Sequence, residues 1–149
     1  MNESNNAEPN KENIETVSTK IFINLPVADL PRSLAFWTAL GYALNPRFSD
    51  ETCACIIISE EILMMVMTHA KFLKFSPKAV CDTTKANEVL FCLSLDSRQQ
   101  VDDMVAKAVA AGGKTFEEAE DQGFMYSHSF IDPDGHGWGL VHVKAMPPK

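Results

Sequence analysis

Several features are missing from this chain, and each absence narrows what it can be. No run approaches the roughly 18 consecutive apolar residues that a membrane-spanning helix needs, and the opening carries neither the basic nor the apolar region of a secretory signal. The expected location is therefore the cytoplasm, with no membrane partner. Clustered Lys and Arg are also missing: 13 basic residues stand against 20 acidic ones, for a formal charge of -7. Nucleic acid is not an expected partner, because affinity for a polyanion depends on such clusters. Four cysteines (Cys53, Cys55, Cys81 and Cys92) form no CxxC pair, and three of them sit in apolar strand-like runs. Reduced, buried thiols are expected, with Cys53 and Cys55 on one strand face.

What is present fits one globular domain. The chain has 149 residues and 46% apolar content, enough for a single core. Residues 1 to 19, rich in Asn and Glu with almost no large apolar side chain, read as a disordered tail. Beyond it the run KIFINLPV predicts a strand. Asp29 is the candidate cap of a following helix, Pro31 is tolerated in its first turn, and Gly41 is its stop. Leu30, Leu34, Phe36, Trp37 and Leu40 form its buried stripe. Three extended runs follow: YALNPRFSD, TCACIIIS and EILMMVMTH.

The second half repeats this order. EVLFCLSL predicts a strand and Ser97 to Ala111 a helix; KTFEEAE, FMYSHSFI and WGLVHV predict three more strands, the last two joined by Asp132-Pro133-Asp134-Gly135. FINLPVADLPRSLAFW overlays LFCLSLDSRQQVDDMV without a gap. The reading is an α+β fold of two βαβββ modules, residues 20 to 69 and 88 to 143, separated by a linker over 70 to 87 and ending in a short tail over 144 to 149. Phe72 and Phe75 in the linker suit either a plain connector or a segment covering a cavity.

The start LPVADLPRSLAFW and the DPDG hairpin before the last strand, within two such modules, resemble the vicinal oxygen chelate superfamily, which includes glyoxalase I, bleomycin-resistance proteins and extradiol dioxygenases. FINLPVADL, CLSLDSRQQVD and GFMYSHSFIDPDGHGW are most similar to its predicted lactoylglutathione lyase-like branch. The resemblance implies that each sheet curls around a cavity with its helix outside, and that two chains pair as a homodimer. In metal-using members it implies a divalent ion such as zinc, nickel, iron or manganese, held by His, Gln or Glu from four strands. Carried onto this sequence, those positions fall on Phe22, on Leu90, on Gly139, and on the Leu63, Met65, Met67, His69 face or its neighbour. Only His69 offers a donor there, so no cofactor is expected.

The expected ligand pocket is Phe22, Asn24, Met65, Met67, Leu90, Cys92, Tyr126, His128 and Gly139. Loss of a carboxylate at 139 removes a metal ligand and a base and leaves an apolar space. Three functions stay open on this reading. The first is a metal-free binder of a small, largely apolar molecule. The second is a lyase or isomerase of lactoylglutathione lyase type, using an unusual metal set or Tyr126 and His128 as acid-base groups. The third is a structural or partner-binding dimer. His142 is expected to be structural, and His136 to sit beside an exposed turn.

Overall fold

A computed structural model describes residues 19–146 and Lys149; the expected tail, Thr19 apart, lies outside the described residues. Strand β1 (Ile21–Val27) ends where the Asp29 carboxylate accepts the Arg32 N–H at 3.0 Å, and helix α1 (Leu30–Ala39) begins with Pro31 in its first turn. Gly41, at φ 98°, takes the left-handed conformation that releases the chain from the helix. Strands β2 (Ala43–Asn45), β3 (Cys53–Ile57) and β4 (Ile62–Thr68) complete the first sheet, and helix α2 (His69–Phe75) follows. The second module runs β5 (Leu90–Ser94), α3 (Arg98–Ala110), β6 (Glu120–Asp121), β7 (Met125–Ile131) and β8 (Gly137–Val143).

The two sheets have one topology, β1-β4-β3-β2 and β5-β8-β7-β6. In each, the first strand pairs parallel to the last and the other pairs are antiparallel. The gapless overlay of the two halves holds in three dimensions: Phe22 lies opposite Leu63 as Leu90 lies opposite Gly137, and Ser97 caps α3 as Asp29 caps α1. Side chains alternate across each sheet. Leu25, Val27, Ala54, Ile56, Met64 and Val66 of the first sheet and Tyr126, Phe130, Trp138 and Leu140 of the second enter one buried cluster with both long helices. Trp37 of α1 meets Trp138 edge-on at 4.8 Å between ring centroids, so the modules share a core. The sheets do not close, and in one chain the face of each that points away from α1 and α3 is not wrapped around a cavity; on the first sheet that face is covered in part by the segment after β2 and by α2.

Other expectations change as well. YALNPRFSD is a strand only over Ala43–Asn45, because Pro46–Phe48 turns as a 3-10 segment. KTFEEAE is not a full strand: only Glu120–Asp121 joins the ladder, with a single bridge from Lys114 to Ile131. Side-chain bonds replace the ladder there: Thr115 Oγ1 lies 3.0 Å from the Ser129 carbonyl and 3.2 Å from that of Glu117, which share its one hydrogen, and Ser129 Oγ donates to the Glu117 carboxylate. His69 is not a strand residue. The Thr68 hydroxyl accepts the Lys71 N–H at 3.2 Å, which turns the chain into α2 and makes the start of the expected linker helical. His136 is buried, not beside an exposed turn, for a reason given below.

Candidate functional site

The open face of the first sheet carries three cross-strand rows: Phe22, Leu63 and Ile57; Asn24, Met65 and Cys55; Pro26, Met67 and Cys53. A turn folds over part of it. The 3-10 segment Pro46–Phe48 is capped by Asn45, and Ser49 Oγ donates to the Asn45 carbonyl at 2.6 Å while accepting the Cys55 N–H at 3.0 Å. The Asp50 carboxylate accepts from Thr52 N, Thr52 Oγ1 and Cys53 N at 2.7, 2.7 and 3.1 Å, and these bonds, the Thr52 hydroxyl first, hold its carboxyl below the usual range. Phe48 is thereby set between two hollows. One, of about 300 Å³, is lined by Asn24, Arg47, Phe48, Asp50, Met65, Met67, Lys71 and Phe75. The other, of about 560 Å³, is lined by Phe22, Phe48, Ile57, Leu63, Lys20 and the acidic pair Glu60 and Glu61. Burial pushes the Cys53 and Cys55 thiols up, which keeps them protonated and poor nucleophiles, whereas Cys81 and Cys92 are exposed rather than buried as expected.

The open face of the second sheet is flatter chemically. Leu90 lies opposite Gly137, and Cys92 opposite Gly139, which in turn faces Ser129. A Cβ added at Gly139 would lie 3.6 Å from Cys92 Sγ, an ordinary contact, so the glycine leaves room without being required by the backbone. Leu90 is 72% exposed. The metal set that the fold suggests does not fit these residues: Phe22, Leu90 and Gly139 offer no donor. Among the described residues no three His, Cys, Asp or Glu side chains gather as a metal site.

Of the residues singled out from sequence, Phe22, Asn24, Met65 and Met67 come together on the first sheet, and Leu90, Cys92 and Gly139 on the second. Tyr126 and His128 do neither. Both project to the helix side of β7, because strand alternation places them with the buried Phe130. The Tyr126 hydroxyl donates to Asp102, and the Arg98 guanidinium lies 4.3 Å from the centre of its ring. The bond to Asp102, with burial second, pushes that hydroxyl above its usual value. His128 Nε2 lies 2.8 Å from the Glu117 carbonyl, and His142 Nδ1 lies 3.0 Å from that of Leu95.

The sequence reading missed two groupings. Arg47, Phe48 and Lys71 reach the first open face from a turn and a short helix, which strand alternation does not reveal. Asp132 is the other: one carboxylate oxygen accepts the Asp134 and His136 backbone N–H groups, and the second is 3.0 Å from His136 Nδ1 and 3.1 Å from Trp138 Nε1. These bonds pull His136 inside. Its signal lay in the spacing of DPDGHGW, where an Asp meets the backbone N–H groups two and four residues on. At the turn, Gly135 adopts φ 91° and passes so close to Thr83 that an added Cβ would lie 2.7 Å from the Thr83 carbonyl.

Comparison with known proteins agrees with this architecture. Residues 19–59 match the family model for the bleomycin resistance protein-like N-terminal region. A hypothetical protein from S. aureus is similar at 28% identity and a TM-score of 0.72, over 83% of this chain and 92% of that one. A glyoxalase-related enzyme from Fulvimarina pelagi superposes with a TM-score of 0.72 at 20% identity, over 86% of this chain and 90% of its own. The bleomycin resistance determinant encoded on the transposon Tn5 gives 0.59 at 20% identity, over 84% and 98%. No curated protein matches the sequence. The fold is the paired βαβββ arrangement of the glyoxalase, bleomycin resistance and dioxygenase superfamily, also called the vicinal oxygen chelate superfamily.

Proposed function

We propose that this protein binds a small, largely apolar molecule on the open face of its first sheet, without the metal ion that the fold holds in other members. One observation carries the reading: Phe22, Leu63, Met65 and Met67 make an apolar, donor-free floor under Phe48, between hollows of a size suited to small ligands. Methionines suit such a floor, because an unbranched thioether adapts to irregular shapes. The lyase alternative has less support, since Tyr126 and His128 lie on the other side of the second sheet, where the Tyr126 hydroxyl donates to Asp102 and His128 Nε2 meets the Glu117 carbonyl. We further propose a homodimer in which a second chain covers apolar residues of the open faces.

The test of binding uses N-phenylnaphthylamine, a neutral dye that fluoresces in apolar surroundings. The native chain should bind it, and Met65→Gln should weaken binding about tenfold, because a buried amide without partners costs on the order of 1 to 3 kcal/mol. Dye binding that is unchanged by Met65→Gln would place the apolar site elsewhere.

A further inference from the structure

The two hollows beside Phe48 differ in charge. The smaller one holds two cations, Arg47 and Lys71, against one carboxylate, Asp50. That carboxylate already accepts from two backbone N–H groups and a hydroxyl. Neither cation makes an ion pair within 4.0 Å among the described residues, in a chain whose acidic residues outnumber its basic ones. Lys71 lies instead over the Phe75 ring, 5.5 Å from its centre. Asn24 adds an amide to the same hollow, on the row that continues to Met65. Beyond Phe48 the floor runs on through Leu63 and Phe22 towards Glu60 and Glu61, which repel a second anionic end.

We infer that the ligand of this face is an amphipathic organic anion, its carboxylate or sulfonate held by Arg47 and Lys71 and its aromatic or aliphatic body laid along Met65, Leu63 and Phe22. This rests on the proposed apolar site and adds the class of molecule that it selects. A guanidinium and an ammonium beside one opening give charge-assisted bonds to an oxyanion, and the low-dielectric floor strengthens them. A neutral ligand would fill the same floor and make use of neither cation.

The experiment compares two dyes on the full chain: neutral N-phenylnaphthylamine and anilinonaphthalenesulfonate, which have similar aromatic bodies while only the second carries a charge. The sulfonate should bind about tenfold more tightly at low salt and lose that advantage as salt is raised. The double variant Arg47→Gln, Lys71→Gln should weaken the sulfonate about tenfold and the neutral dye far less, an unchanged circular dichroism spectrum showing that the variant is folded. Equal affinity of the native chain for both dyes, or a double variant that affects neither, overturns the anion assignment and leaves the apolar site standing. If Met65→Gln spares both dyes, the apolar site itself is wrong and this inference falls with it.

Discussion

Asp132 shows how one side chain can organise a turn. Its carboxylate accepts four N–H groups, two of them from the buried side chains of His136 and Trp138. A carboxylate only accepts, so the Nδ1 of His136 carries the proton of that bond. Replacing Asp132 by Ala strands both side-chain donors away from water, at about 1 to 3 kcal/mol each. We expect Asp132→Ala to lose about 3 kcal/mol in urea unfolding; a loss below about 1 kcal/mol would mean that other acceptors take over. Gly139 is the opposite case, a residue that can change with little structural consequence, since an added Cβ makes ordinary contact with Cys92. Gly139→Glu should fold and still take up no nickel or zinc in equilibrium dialysis, because Phe22 and Leu90 supply no donor. Stoichiometric uptake by that variant would overturn the assignment of those positions.

At the scale of elements, what was legible in the sequence was what local chemistry decides. Helices α1 and α3 announced themselves through Asp29 and Ser97 and through apolar spacing, and both caps form. Strand alternation likewise groups Phe22 with Asn24 and Met65 with Met67, while the register that sets the two pairs side by side comes from the pairing of β1 with β4. The failures came where distant side chains decide. Whether residues 114 to 121 pair as a strand depends on what Thr115, Ser129 and His128 bind, and α2 is too short for its periodicity to outweigh the extended run before it. Tyr126 and His128 lie on the helix side, which the sequence leaves open for a simpler reason: alternation gives the set of residues on a face but not which face holds the helices. The contact between α3 and β7 through Asp102 and Tyr126 leads to a prediction in alkali. The Tyr126 hydroxyl holds its proton more tightly folded than unfolded. The resulting stability is complete below the ordinary phenol value near 10 and is lost as pH rises through the higher folded value. Tyr126→Phe should therefore be less stable at neutral pH but flatten the fall in denaturation midpoint above about pH 10. Some slope should remain from Tyr42, whose hydroxyl burial also pushes up. A variant profile as steep as the native one would show that this contact does not titrate with unfolding.

For the whole molecule, the shared core has a cost. Both sheets turn the sides that carry α1 and α3 inward, around Trp37, Phe36 and Trp138, and leave much of their other faces to solvent, although Cys53, Cys55 and Met67 on the first are buried. On or beside those faces Phe22 is 52% exposed, Leu90 72%, and Val89 and Val143 each 49%. Apolar residues grouped in this way favour association, and two copies of one chain can satisfy it symmetrically. A stable interface of ordinary size covers about 800 Å² on each partner. Leu90 is the most exposed of the four, and it stands at the start of β5 on the side opposite the shared core, so a charge there should disturb association without disturbing folding. The native chain is expected to sediment as a dimer at micromolar concentration and Leu90→Glu as a monomer with an unchanged circular dichroism spectrum, whereas Met65→Gln should remain dimeric. A native chain that stays monomeric throughout the micromolar range would remove the homodimer, and a Leu90→Glu variant that still pairs would move the interface away from the second sheet.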